Sequence, residues 1–203
     1  MITVVCGFPR SGSSLMMRIL YDSGMEVYAK SLASFEHSDV LSLPSCSTWM
    51  SKCEGKAVKI LDPHRHVPPR GYEYRFLWME RNHVEQAKSQ IKFLKATGMN
   101  VPRTAVGAIA RSMEQDEPIA AKVLAGFKDS RIMRVRFGRL ISKDESLARR
   151  IAEFVGLPAI DYRSVVHRSP LCLPGMGMEA GAMDWEDAKA REPKTTTEEL
   201  SRG

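Results

Sequence analysis

The stretch "VVCGFPRSGSSLMMRIL", residues 4 to 20, decides how the chain is read. An apolar run ends at Gly7, a glycine- and serine-rich turn follows, and from Ser13 apolar residues recur at helical spacing. Strand, tight loop and helix in that order frame a phosphate-binding loop, whose backbone amides point at an anion from the start of a helix. The triphosphate version of this loop carries a lysine after its second glycine, which reaches the β and γ phosphates. Here Ser13 and Ser14 follow Gly12, and the cation inside the loop is Arg10. The loop therefore predicts a phosphate-bearing ligand other than a magnesium-bound triphosphate.

Outward from the loop, "KAVKIL" (56 to 61), "YRFLWM" (74 to 79) and "SRIMRVRF" (130 to 137) resemble buried parallel strands. Apolar spacing predicts helices near 13 to 23, 84 to 96, 103 to 127 and 143 to 155, with Gly156 and Pro158 stopping the last. The alternation predicts an α/β fold: a three-layer parallel sheet with helices on both faces, similar to the P-loop NTPases. Ligands of such sheets bind beyond the carboxyl ends of the strands, where the loop at Gly7 to Ser14 lies. Residues 1 to 173 make the expected domain, and the polar, glycine- and charge-rich 174 to 203 reads as a flexible tail or a lid.

The 203 residues, 43% of them hydrophobic, suffice for one α/β domain. Of the net charge of +6, the tail's seven acids and four bases account for −3, which leaves about +9 on the body. That body attracts anions. With only 7% aromatics to interleave with the basic residues, a small phosphorylated ligand is expected rather than a nucleic acid. Cys6, Cys46, Cys53 and Cys172 form no Cys-x-x-Cys pair, and no apolar run approaches a membrane span or a signal segment. A reduced, cytoplasmic protein is the expectation. The sequence carries no sign of oligomeric state.

A second phosphate contact is suggested by "FLWMERNHVEQAKSQ": Arg81 closes a strand and Ser89 lies two helical turns further on. With this pair and the loop "FPRSGSSLM", the chain resembles the sulfotransferases that use 3′-phosphoadenosine 5′-phosphosulfate (PAPS), in their bacterial form. The resemblance implies that Arg10, Ser11, Gly12, Ser13 and Ser14 cradle the donor's 5′ end, and that Arg81 and Ser89 take its 3′ phosphate. It implies release of adenosine 3′,5′-bisphosphate and no metal. "VRFGRLISKDESLARRIAEFVGLP" is similar to the strand, loop and helix that follow the acceptor-binding helices in bacterial members. The family commonly has a tyrosine and an acid at Phe137 and Gly138, and an acid and a proline at Asn82 and His83.

The resemblance also implies a base for the acceptor's proton. Glu36 in "ASFEHSDVL" stands where bacterial and protein-tyrosine members carry a catalytic glutamate. Animal cytosolic members use a histidine two residues after a strand lysine; Lys59 is the matching lysine, but Leu61 follows it and the nearest histidine is His64. Glu36 is preferred and His64 is the alternative. Lys59 itself is either catalytic or a strand-end charge snorkelling to solvent. Asp62, His64 and His66 read as a solvated loop, since their spacing lacks further metal ligands. Lys88, Lys92 and Lys95 read as a solvated helix face, and Met16, Met17 and Met25 as core or as an adaptable pocket. The acceptor, whether small molecule, carbohydrate, lipid or peptide, has no motif in residues 28 to 55 or 98 to 128. A P-loop kinase and a non-enzymatic binder of nucleic acid or phosphate are the alternative readings.

Overall fold

The computed structural model describes residues 1 to 163 and Val165; the expected tail, 174 to 203, and Cys172 lie outside the described residues. Five strands form one parallel sheet in the order β2-β3-β1-β4-β5: β1 (Ile2–Gly7), β2 (Val27–Tyr28), β3 (Ala57–Leu61), β4 (Tyr74–Glu80) and β5 (Arg131–Arg136). β1 lies at the centre, pairing with β3 in the register Val5 to Lys59 and with β4 in the register Val5 to Leu77. A central parallel strand is covered on both faces, which is why Ile2 to Gly7 is buried throughout.

Side chains alternate along each strand, so each sheet face has its own core. On one face Val5, Leu77 and Val135 meet α1 (Ser13–Asp22) and α5 (Glu145–Val155) through Met16, Ile19, Ile151 and Phe154. On the other, Val4, Cys6, Ile60 and Phe76 meet Trp49, Met50 and the α3 (Ala105–Ala125) residues Met113 and Leu124. α2 (His83–Ala96) packs along α3, and a short α4 (Phe137–Ile141) follows β5 directly. The predicted three layers are therefore present, with β5 exposing Arg134 and Arg136 at one edge.

Several local readings change. The segment 143 to 155, expected as one helix, starts at Glu145, because Asp144 caps it by accepting from the Leu147 amide. Phe137 begins α4 rather than ending the strand. Residues 28 to 55, without helical periodicity, hold β2 and two 3₁₀ turns, Ser38–Ser42 and Thr48–Cys53. Met16 and Met17 are fully buried core. No described helix is long and apolar enough to cross a membrane.

Candidate active site

The loop between β1 and α1 rests on two glycines. Gly7 has φ 149°, and a Cβ there would stand 2.9 Å from the Met79 carbonyl oxygen. Gly12, the N-cap of α1, has φ 97°, and its Cβ would stand 2.4 Å from the Phe137 ring. No side chain caps α1, so its first amides face the loop with the helix dipole behind them. The Ser11 amide turns inward to the Phe8 carbonyl (3.3 Å), and the Ser11 hydroxyl is buried with no partner among the described residues. The loop thus keeps an unmet hydrogen bond beside an uncapped helix start.

α2 grips this loop from one side. Gln86 Nε2 donates to the Pro9 carbonyl (3.2 Å), and Arg10 Nε donates to Ser89 Oγ (3.2 Å). The Arg10 guanidinium also lies 5.0 Å from the centre of the Phe93 ring. From the end of β4, Arg81 Nη1 donates to the Arg10 carbonyl (3.1 Å), while its guanidinium sits 4.5 Å over the Phe137 ring. Arg10, Arg81 and Ser89, assigned by sequence to opposite ends of one ligand, meet at a single corner. That corner opens into a cleft of about 1320 Å³ whose walls include Phe8, Arg81, Ser89, Lys92, Phe137 and Arg139. Lys88 and Lys92, exposed as expected, line it as well, as do Glu80, Glu85, Glu114 and Glu117.

On the other side of the loop stands Lys59. It does not snorkel to solvent: its side chain is 2% exposed, and Nζ donates to Ser14 Oγ (3.0 Å), the Ser34 carbonyl (2.5 Å) and Glu36 Oε1 (2.9 Å). The β1 register explains this, because Lys59 lies opposite Val5 and shares its α1-facing side of the sheet. Glu36, 60% exposed, reaches Lys59 from a tight turn. There Phe35, at φ 54° and buried against Tyr21, accepts strain while its amide and the Lys30 amide close the turn onto Ser31 and Glu36 carbonyls. Next to it Tyr28 stacks on His37 (4.4 Å) and on Trp49 (5.5 Å), and donates to Asp39 (2.8 Å). Burial and the Asp39 carboxylate push the Tyr28 hydroxyl up to about 12, so it remains a donor at any physiological pH.

His64 is also less solvated than its loop suggested. Its side chain is 7% exposed, Nε2 lies 3.6 Å from Asp116 of α3, and its ring meets Phe8 edge-on. Its hydrogen-bonding and ionic contacts run to Arg65 and to Asp116 of α3. Burial raises the neighbouring Asp62 carboxyl, against the lowering effect of His64, Arg65 and His66. Among the described residues no His, Cys, Asp and Glu side chains gather as a metal-holding group. At the far wall of the cleft, Arg139 donates to Asp144 (2.7 Å) and to Ser146 (2.8 Å). The Arg139 hydrogen bond foremost, then those donated by the Leu147 amide and the Ser146 hydroxyl, hold the Asp144 carboxyl well below the usual carboxylate range.

Sequence reading missed the coupling of Lys59 to Glu36 and the ring of Phe137 between Gly12 and Arg81. The parity of Lys59 with Val5 was the available signal for the first. Nothing local signalled the second.

No family model matches the chain, and no curated protein matches it significantly. A solved structure, the sulfotransferase domain from the curacin biosynthetic pathway, is similar over 77% of this chain and 74% of its own, at 13% identity and a TM-score of 0.47. An overlap that loose assigns neither ligand nor reaction.

Proposed function

We propose that the protein is a sulfotransferase that moves a sulfuryl group from PAPS to a hydroxyl or amine of an acceptor. One observation carries the reading: an uncapped, lysine-free loop stands at the carboxyl end of the sheet beside a corner where Arg81 and Ser89 meet the loop's own Arg10. A ligand with charged groups at both its 5′ and 3′ positions suits two such anion sites, whereas a triphosphate suits one loop with a lysine and a metal. The unmet Ser11 hydroxyl fits that donor, as do the arginines and lysines of the cleft, which stand among Glu80, Glu85, Glu114 and Glu117.

The donor, when bound, supplies the sulfuryl group and a leaving bisphosphate. The amides of Ser13 and Ser14 hold the 5′ end, and the cleft beside Arg81 and Ser89 takes the nucleoside with its 3′ phosphate. Glu36, whose Oε1 is held by Lys59, receives the acceptor's proton as the acceptor oxygen or nitrogen bonds to sulfur. As the bond from sulfur to the bridging oxygen breaks, Lys59 stabilises the negative charge that grows there. His64 is disfavoured as the base, because its contacts turn toward Arg65 and α3. The acceptor lies over the Tyr28 to Glu36 side of the loop.

The test is transfer of labelled sulfuryl from PAPS to a panel of sugars, lipids, phenols and peptides, without added metal. One labelled product, lost in Glu36→Gln, supports the reading. Phosphoryl transfer from ATP with magnesium, and none from PAPS, would establish the kinase instead.

A further inference from the structure

We propose that Phe137, whose side chain has no polar atom to offer a ligand, is a positioning residue for the 3′ phosphate: braced against the loop at Gly12, its ring sets the guanidinium of Arg81. This rests on the sulfotransferase reading. β4 and β5 end in register, with Glu80 opposite Arg136, so the next residues on the two strands, Arg81 and Phe137, come side by side. Phe137 shares the α1-facing core with Met133 and Val135 and is 7% exposed. There its ring lies against Gly12, where even a Cβ would come within 2.4 Å of it, and the Arg81 guanidinium lies over its face, 4.5 Å from the ring centre. Arg81 Nη1 then returns to the loop by donating to the Arg10 carbonyl (3.1 Å). Gly12, Phe137, Arg81 and the carbonyl of residue 10 thus form a closed circuit drawn from three segments of the chain.

Orientation matters here more than net charge. Glu80, Glu85, Glu114 and Glu117 share the cleft with its arginines and lysines, and Glu85 pairs with Arg81 at 3.5 Å from an exposed position. In such mixed company a phosphate is selected by the planar fork of a guanidinium, turned to meet it with two parallel N–H donors. A ring face fixes the plane of that fork, and the hydrogen bond to the Arg10 carbonyl fixes its rotation within the plane. The ring itself has little room to shift, because Gly12 closes one side of it and a close-packed interior yields little. The loop therefore sets the ring, and the ring sets the arginine.

Calorimetry with adenosine 3′,5′-bisphosphate and with adenosine 5′-phosphosulfate, which lacks the 3′ phosphate, tests this role. Phe137→Leu keeps apolar contact over Gly12 but removes the ring face. It should weaken the bisphosphate by about 5- to 30-fold, the worth of a partly to fully desolvated contact between a guanidinium and a ring, and the 5′-phosphosulfate by less than about two-fold. Phe137→Tyr keeps the face and should bind both ligands within about two-fold of wild type. In an Arg81→Ala background, Phe137→Leu should add less than about two-fold to the loss of bisphosphate, because a ring that acts through Arg81 has nothing left to hold. Phe137→Met takes the place of Phe137→Leu should that variant fail to fold. In a folded variant, no loss of either ligand, equal loss of both, or a loss undiminished by Arg81→Ala would overturn the inference alone. Wild-type protein that binds neither ligand would overturn the sulfotransferase reading and the inference with it.

Discussion

The two sides of the loop between β1 and α1 are built by opposite means. On the α2 side, Arg81, Lys88 and Lys92 line an open cleft together with Glu80, Glu85, Glu114 and Glu117, and hydrogen bonds and ring faces order Arg81 and the adjoining Arg10. On the β3 side, one lysine is buried in the fold and carries three hydrogen bonds, while the acid it holds reaches out to solvent. In the proposed function, the open cleft binds a group whose charge does not change during reaction. A buried cation with little freedom to reorganise is suited to charge that appears only in the transition state. Under the proposed function, the contrast gives binding chiefly to one side and rate chiefly to the other.

Lys59→Met breaks that contrast hardest. Turnover should fall by roughly 10²- to 10³-fold, the cost of removing one preorganised donor to developing charge. Steady-state kinetics with a melting curve alongside separates this from unfolding; a rate within a few-fold of wild type in a folded variant would remove Lys59 from the chemistry. Glu36→Gln keeps the Lys59 hydrogen bond and removes the basicity, and turnover should fall by roughly 10²-fold with bisphosphate affinity unchanged. A normal rate in Glu36→Gln beside a slow His64→Ala would move the base to the α3 side.

How far these roles were legible depends on sequence distance. Gly7 to Ser14, and the eight-residue step from Arg81 to Ser89, are local patterns whose spacing already states a strand end and a helix face. The parallel sheet was legible for the same reason, in four apolar runs with helical segments between them. Lys59 and Glu36 are 23 residues apart and meet only because Phe35 takes a left-handed turn and β3 pairs with β1 in one register. Neither cause leaves a periodic trace. Lys59 in an apolar strand therefore read as a charge on its way to solvent. The 3₁₀ turns of residues 38 to 53 were illegible because they are too short to show an apolar stripe.

Gly12→Ala sharpens the boundary between the two sides, since Phe137 fills the space over Gly12 while supporting Arg81. A methyl group 2.4 Å from that ring, on a backbone at φ 97°, should cost roughly 2 to 4 kcal/mol, or about 4 to 16 °C in melting temperature. Thermal denaturation checks it, and an unchanged midpoint would mean that Phe137 moves freely off the loop. Asp144→Ala has the smallest expected effect. Its carboxyl lies below the ordinary value in the folded protein, so its contribution to stability is present above about pH 4, where the unfolded chain's carboxyl is also ionised. That contribution fades as pH falls through the folded value. The gap in melting temperature between wild type and Asp144→Ala should be full at pH 7 and narrow below about pH 4. A gap that widens on acidification would contradict the Arg139 contact as its source.

The most direct test of the two-site donor is a melting curve of the wild-type protein with saturating adenosine 3′,5′-bisphosphate in the absence of magnesium, set against ATP with magnesium at the same concentration. At about 100 times its dissociation constant a ligand stabilises the folded state by roughly 2.7 kcal/mol, which is readily resolved. The account predicts the larger upward shift for the bisphosphate. An equal or larger shift with ATP and magnesium would contradict it and return the loop to the kinases.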